Sequence, residues 1–163
     1  MTIEILEDLP EVDAIFVPVG GGGLISGAGA ALLPHPDIEL VGCQPVNSPV
    51  MRASVEAGKI VDLPFIPTLS DGTAGGLEPD SITFPLCQQW VDHFISVDEG
   101  EIAAAMYSIL KEHHFVVEGA AGLSLASLRQ QKERYQGKKV VLVLCGRNVS
   151  VEVVKEIVLA GEG

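Results

Sequence analysis

The 163-residue chain carries 10 basic and 22 acidic residues, so its formal net charge is −12, and 47% of its residues are hydrophobic. This hydrophobic content excludes an intrinsically disordered chain and suffices for one domain around a single buried core. The negative charge disfavours binding to nucleic acid or to an anionic membrane surface, although backbone N–H groups could still form a local anion site.

Composition also predicts where the protein resides. No apolar run is long enough to cross a membrane, and the acidic start MTIEILEDLPEVD lacks the basic and apolar regions of a secretory signal. The three cysteines, Cys43, Cys87 and Cys145, lie far apart without the spacing of a metal site. An odd number of cysteines is typical of a reducing compartment. We therefore expect a cytoplasmic protein.

Apolar patterning in the first part of the chain predicts alternating helices and strands. Residues 14–19 are apolar on both faces, as expected for a strand buried in a parallel sheet. Ser48, Pro49 and Gly58 indicate a helix with a serine cap, proline at its first position and glycine after its end. The preceding predicted elements are a helix over 2–8, a strand over 14–19, a helix over 24–33 and a strand over 38–43.

The second part of the chain begins with a long loop over residues 59–83. This loop contains three prolines and the turn-rich stretch SDGTAGG, and loops of this length are usually functional. The elements predicted after it are a helix over 83–92, a strand over 93–97, a helix over 98–113, a helix from residue 119, a strand over 138–146 and a helix over 148–161.

The helix over 98–113 has the clearest pattern. Asp98 and Glu101 have the spacing of a capping box, in which each side chain accepts from the other residue's N–H. One apolar face is formed by Ile102, Ala105, Met106, Ile109 and Leu110. Because strands and helices alternate throughout, residues 1–163 are predicted to form one α/β domain, a three-layer sandwich around a mostly parallel sheet.

Four consecutive glycines, Gly20, Gly21, Gly22 and Gly23, separate the first strand from a helix. In a parallel α/β sheet, ligands bind beyond the carboxyl ends of the strands. Glycines let the backbone approach a ligand closely, and a helix N-terminus presents free N–H groups and the positive end of its dipole. We therefore predict that this loop holds a phosphate group.

Two other phosphate motifs fit this loop poorly. A nucleotide-binding P-loop ends in Gly-Lys-Ser/Thr, whereas Gly23 is followed by Leu24. A dinucleotide loop requires a third glycine where this chain has Ser26, and an acid after the second strand where it has Gln44. A tight strand-to-helix turn without a ligand remains an alternative.

Two further segments are predicted at the same edge of the sheet. Cys145, in LCGRN, follows a buried strand, and Glu118, in VEGAAG, begins a helix. Each also has a plain structural interpretation, because a free cysteine is commonly a small core residue and a carboxylate favours any helix N-terminus.

Taken together, these segments resemble a known family. The stretches VPVGGGGLISG, SDGTAGG, VVEGAAG and VLCGRNVS, in this order, are similar to the fold-type II pyridoxal-phosphate enzymes, in particular to the serine/threonine dehydratase and serine racemase branch. The resemblance covers residues 1 to about 150. It implies part of the large domain of the tryptophan-synthase-β-like fold, with pyridoxal phosphate as cofactor and an amino acid as substrate.

The resemblance also implies a role for particular residues. Gly20, Gly21, Gly22, Gly23 and Leu24 would donate backbone N–H groups to the cofactor phosphate. In addition, Cys145 would face the pyridine nitrogen as a weak donor, Gly72 would line the edge of the cofactor, Glu118 would be an acid close to it, and Asn148 would stabilise the turn after the last strand.

The sequence departs from the family in two places. Racemase-like members hold a divalent cation partly through an acid after the second strand, and Gln44 stands at that position, so we expect no metal there. The adjacent His113 and His114 point to different faces and have no suitably spaced partner. The family's Schiff-base lysine and substrate-binding loop lie before the segment where this chain begins. The six lysines, Lys59, Lys111, Lys132, Lys138, Lys139 and Lys155, match no such motif and are predicted to be solvated charges.

Three interpretations of function therefore remain open. In the first, the chain belongs to a dehydratase/deaminase for serine, threonine or a similar hydroxy-amino acid, with no catalytic residue of its own and no activity without a lysine-bearing half. In the second, it is a non-catalytic module for phosphate-ligand binding or oligomerisation. In the third, it is a truncated, non-functional product. An incomplete sheet would expose apolar surface, so we expect either a homo-oligomer or pairing with a complementing N-terminal half.

Overall fold

A four-stranded sheet forms the centre of the computed structural model, which describes residues 1–161. The strands lie in the order β3-β2-β1-β4, and each neighbouring pair is parallel. The prediction of a mostly parallel sheet is thus confirmed. The strands are β1 (Ala14–Pro18), β2 (Glu39–Pro45), β3 (His93–Val97) and β4 (Val140–Leu142).

Helices cover both faces of the sheet, because successive residues of a strand point to opposite sides. Ile15 and Val17 pack with residues of α2, α3 and α4, where α2 is Gly23–Leu32, α3 is Val50–Ala57 and α4 is Thr83–Trp90. Ala14 and Phe16 pack on the opposite side with α5 (Glu99–His113), α6 (Gly119–Gln130) and α7 (Val151–Gly161). The remaining helix is α1 (Thr2–Asp8). These two cores confirm the predicted three-layer sandwich.

The α5 helix begins with the predicted capping box. The Asp98 carboxylate accepts the N–H of Glu101, and the Glu101 carboxylate accepts the N–H of Asp98, both at 2.8 Å. The predicted apolar face is correct: Ile102 and Met106 are buried with its other members, while Leu110 is half-buried. No helix within residues 1–161 combines the length and apolar character needed to cross a bilayer.

The last strand and the last helix are shorter than predicted. The strand spans three residues, not 138–146, because the Lys138 N–H bonds back to the Tyr135 carbonyl (3.1 Å) before the strand starts. The Val143 N–H still reaches the Phe16 carbonyl (3.0 Å), after which the chain leaves the sheet. The final helix begins at Val151 rather than at residue 148, because residues 144–150 form a loop.

The predicted cap of α3 is wrong by one residue. The N-cap is Pro49, and Ser48 lies outside the helix, where its Oγ accepts the Gly75 N–H (3.3 Å). Gly58 follows the end of the helix, as predicted, and adopts the left-handed conformation with φ +68°. The following long loop contains a single 3₁₀ turn at Asp71–Thr73.

Candidate functional site

The glycine loop makes a tight turn from β1 into α2. Gly22 is the N-cap of α2 and has φ +82°, a conformation that strongly favours glycine. A Cβ at this position would lie 2.7 Å from Met51 Cε and 2.9 Å from Cys87 Sγ. A Cβ on Gly20 would lie 3.1 Å from the Cα of Thr73. Packing against neighbouring segments therefore requires at least two of the four glycines.

The same loop leaves a run of backbone donors without partners. Within the described residues, the N–H groups of residues 20–25 donate to no protein acceptor. A Cβ on Gly21 or on Gly23 would meet nothing within 4 Å, so the backbone there is open to solvent. Thr83 Oγ1 fixes the loop from the other side by donating to the Gly21 carbonyl (2.5 Å). Free amides at the positive end of a helix dipole form an anion site.

Contacts join the glycine loop to the other predicted segments. Gly20 packs on Thr73, and the adjacent Gly72 lies against the Glu118 side chain, since a Cβ on Gly72 would be 3.2 Å from Glu118 Oε1. A Cβ on Gly146 would be 2.5 Å from the Glu118 carboxyl carbon. The four segments that the sequence singled out are thus neighbours at the carboxyl edge of the sheet.

Glu118 is half-buried and binds the loop that follows β4. Its N–H donates to the Gly146 carbonyl (3.2 Å), and its Oε2 accepts the Asn148 N–H (2.8 Å). Asn148 therefore stabilises this turn, as the resemblance implied, and does so through its main chain.

Cys145 lies on that loop and is exposed to solvent. Partial burial raises the pKa of its thiol, and the nearby Glu118 carboxylate raises that pKa further. The sulfur therefore remains a neutral, weak hydrogen-bond donor at physiological pH. The residue borders an open pocket of about 440 Å³ with Phe115, Leu144 and the exposed Arg147.

The structure does not place all the predicted site residues around one pocket. Gly23 and Leu24 border a separate apolar pocket of about 310 Å³ against Met1 and Ile3 at the N-terminus. Cys145 belongs to the larger pocket described above. The two pockets are connected through Gly20, Thr73, Gly72 and Glu118 by packing contacts, not by a shared cavity.

Two threonines of this site were not predicted from the sequence. Thr73 supports Gly20 and shares a 2.6 Å hydrogen bond with Ser70, and Thr83 holds the Gly21 carbonyl. The position of Thr73 directly after Gly72 in SDGTAGG could have indicated its role. Nothing in the local sequence marks Thr83, because it contacts the loop only through the tertiary fold.

The residues considered for metal binding have structural roles in the fold. Gln44 is buried, its Nε2 donates to the Val19 carbonyl (3.1 Å), and its Oε1 accepts the Arg52 N–H (2.8 Å). His113 ends α5, and His114 caps it with φ +61°. Within residues 1–161, no group of three His, Cys, Asp or Glu side chains could hold a metal ion.

All six lysines are exposed, as predicted. Lys139 pairs with Glu11, Lys138 lies over the Tyr135 ring, and Lys111 lies over the Tyr107 ring. None of these three contacts involves the glycine loop or the loop after β4.

The parallel sheet, its two helical layers and the open glycine loop define an α/β protein with a site suited to a phosphate group. The chain belongs to the pyridoxal-phosphate dependent enzyme family, which it matches over residues 1–146. Membership implies pyridoxal phosphate as the cofactor, so the family and cofactor class predicted from the sequence are confirmed.

Relatives with known activities extend well beyond this chain. It is 39% identical over 160 residues to an L-threonine ammonia-lyase of Thermotoga maritima and 35% identical over 158 residues to a catabolic L-threonine dehydratase of Escherichia coli. These matches cover 98% and 95% of this chain, but 39% and 48% of the relatives.

Solved structures agree with this family and confirm the predicted tryptophan-synthase-β-like fold. Threonine deaminase isoform 2 of Solanum lycopersicum superimposes with a TM-score of 0.88 at 27% identity, over 96% of this chain and 46% of that one. Maize serine racemase superimposes with a TM-score of 0.84 at 31% identity, over 98% of this chain and 50% of that one. The chain thus spans about two fifths to one half of the length of these relatives.

Proposed function

We propose that this chain supplies the phosphate and ring-nitrogen side of a pyridoxal-phosphate site in an enzyme that dehydrates and deaminates serine, threonine or a similar hydroxy-amino acid. The observation that carries this proposal is the run of unpartnered N–H groups at residues 20–25. Six main-chain donors at a helix N-terminus suit a dianionic phosphate ester and need no lysine. The relatives that are threonine ammonia-lyases and dehydratases support the substrate class.

Each predicted site residue has a role in this proposal. Bound pyridoxal phosphate supplies the electron sink for bond changes at the amino acid's α-carbon. Gly20, Gly21, Gly22, Gly23 and Leu24 bind its phosphate through their N–H groups, and Gly72 leaves room for its edge. Glu118 lies beside it, and Cys145 offers a weak donor to the ring nitrogen, which leaves that nitrogen largely unprotonated.

Turnover in this proposal needs a lysine-bearing half that these 163 residues do not contain. The contacts of three lysines support this dependence, because Lys139 pairs with Glu11 and Lys138 and Lys111 lie over tyrosine rings, whereas the lysine that holds the cofactor must reach the site. The same contacts favour a second candidate, a non-catalytic module that binds a phosphate ligand or assembles with other chains. We also propose a cytoplasmic location, which the three free cysteines support.

Backbone substitution at Leu24 tests the phosphate site. Leu24→Pro removes one N–H in the first turn of α2, where proline is tolerated, whereas Leu24→Ala keeps the N–H and removes the side chain. We expect pyridoxal phosphate and inorganic phosphate to shift the NMR amide signals of residues 20–25 saturably in the wild type. Leu24→Pro should bind about tenfold more weakly, the effect of losing one hydrogen bond to a charged group, and Leu24→Ala should bind normally.

Two results would contradict this prediction. If neither ligand shifts these signals in the folded wild type, the phosphate site is wrong. If Leu24→Ala weakens binding as much as Leu24→Pro while both variants melt like the wild type, the side chain rather than the amide holds the ligand.

An activity assay separates the two candidate functions. The chain is assayed with serine and threonine alone, and again after mixing with the lysine-bearing half of a threonine ammonia-lyase. Turnover only in the mixture supports the partial enzyme, and turnover by the chain alone refutes its dependence on another half. Saturable cofactor binding without turnover in either sample favours the non-catalytic module.

A further inference from the structure

The Glu118 side chain has partners that its position at a helix start does not explain. Although Glu118 is the N-cap of α6, its carboxylate accepts no hydrogen bond from its own helix. It reaches 30 residues along the sequence, where Oε2 accepts the Asn148 N–H at 2.8 Å. With the bond from its own N–H to the Gly146 carbonyl at 3.2 Å, Glu118 holds this loop from two sides.

The carboxylate has room because two of the residues packed against it are glycines. Any side chain at Gly146 would overlap the carboxyl group, and one at Gly72 would press on Oε1 from the opposite segment. The carboxylate therefore lies between the 3₁₀ turn at Asp71–Thr73 and the loop after β4. Cys145 immediately precedes the residue against which this carboxylate packs.

We propose that Glu118 is a positioning residue: its carboxylate fastens the loop after β4 to the start of α6 and so fixes the direction in which Cys145 faces a bound ring. That a ring binds here depends on the proposed function, whereas the placement of the loop by Glu118 does not. Glu118 acts here through the main chain of Gly146 and Asn148.

The carboxylate has two effects that substitution can separate. Its oxygen accepts the Asn148 N–H, and its negative charge raises the pKa of the Cys145 thiol beyond the effect of burial. Arg147, exposed on the same loop, is a charged residue that borders the Cys145 pocket. Glu118→Gln keeps an acceptor oxygen and removes the charge, whereas Glu118→Ala removes both.

Two measurements on the cofactor-free protein test this role. The first is the rate of Cys145 alkylation by iodoacetamide as a function of pH, which is selective because Cys43 and Cys87 are buried. The second is hydrogen exchange at the Asn148 amide. A matched control, Glu133→Gln, makes the same charge change at an exposed residue after α6.

We expect Glu118→Gln to shift the alkylation profile to lower pH and to leave Asn148 exchange close to the wild type. Glu118→Ala should also shift the profile and should accelerate Asn148 exchange at least tenfold, the effect of losing a hydrogen bond to a charged acceptor. Glu133→Gln should change neither. Unchanged Asn148 exchange in Glu118→Ala, or equal alkylation profiles in all variants, would overturn the proposal.

The result can be told apart from a failure of the proposed function. Both measurements omit the cofactor, so they can succeed even if pyridoxal phosphate fails to bind. If Glu118→Ala does not fold, the shorter Glu118→Asp decides, because it keeps the charge and withdraws the acceptor from the Asn148 N–H: Asn148 exchange should then accelerate, and exchange as slow as in the wild type would overturn the proposal.

Discussion

A chain of hydrogen-bonded polar groups around the buried Tyr135 lies at the amino edge of the sheet, opposite the candidate site. The Tyr135 hydroxyl donates to Glu39 Oε2 (2.7 Å), so His93 donates to the hydroxyl oxygen through Nε2 (3.0 Å). Arg134 completes the group by pairing with Glu39 Oε1 (2.9 Å). These side chains connect the starts of β2 and β3 to the segment before β4, so they fasten three strands at one end.

The His93 ring should make stability depend on pH. Desolvation lowers its pKa, and the Arg134 charge lowers it further, against the opposing charges of Glu39 and Asp92. The unfolded chain takes up this proton at about pH 6.5, and the folded protein does so only at lower pH. The contribution is therefore fully present above the unfolded pKa and is lost as pH falls through the folded pKa.

Urea unfolding between about pH 5 and 8 checks this expectation. The free energy of unfolding of the wild type should fall more steeply towards acid pH than that of His93→Gln, which cannot titrate. If the two proteins lose stability in parallel, the His93 proton is not the cause. Glu39 does not interfere, because its pKa lies below its usual value and its titration falls at more acid pH.

At the scale of elements, α5 shows how a helix start is fixed locally. Its capping box satisfies two N–H groups that the helix cannot pair internally, and both bonds are made by residues three apart. Acidic residues in its first turn also complement the helix dipole.

Substitution at Asp98 measures this contribution. Asp98→Ala should lower the free energy of unfolding by about 1 kcal/mol, because it removes the acceptor of the Glu101 N–H. Asp98→Asn keeps an acceptor and should remain close to the wild type. Thermal unfolding by circular dichroism provides the measurement, with an expected decrease in Tm of about 2–4 °C for Asp98→Ala. An equal decrease in both variants would point to lost charge rather than a lost cap.

At the scale of the whole molecule, the β4 end of the sheet carries exposed apolar groups. Within residues 1–161, β4 pairs only with β1, so its other edge has no strand beside it. Phe115 (63% exposed) and Leu144 (44% exposed) border one pocket, and Leu144 lies two residues after the end of β4. Unpaired strand edges and clustered apolar side chains favour association with another chain.

We therefore expect the chain to self-associate in sedimentation velocity, with a weight-average mass that rises with concentration. Phe115→Ser should reduce this association. Phe65→Ser, which changes a residue of similar exposure (77%) in the long loop before α4, serves as the control. A stable monomer over the whole concentration range would contradict the expectation, and equal effects of both variants would show that the surface involved is not the one beside β4.

The sequence predictions are correct where a feature depends on residues close together in the chain, and they fail where it depends on other interactions. The start of α5, the end of α3 at Gly58 and the parallel strands depend on local spacing and apolar periodicity, which the sequence displays directly. The length of β4, the start of α7 and the cap of α3 were predicted incorrectly. At β4 and α7 the N–H groups of Lys138 and Asn148 bond to Tyr135 and Glu118. At α3 the Ser48 hydroxyl accepts the Gly75 N–H and does not cap the helix.

The same distinction holds for the candidate site. The amino-acid sequence alone determined the glycine loop, its place after a buried strand, the family and the cofactor class, because these depend on consecutive residues. Only the tertiary structure decided that Thr73 supports Gly20 and that Glu118 holds the loop of Cys145. These contacts join residues far apart in the chain, and packing and hydrogen bonding across such distances leave no periodic pattern in the sequence.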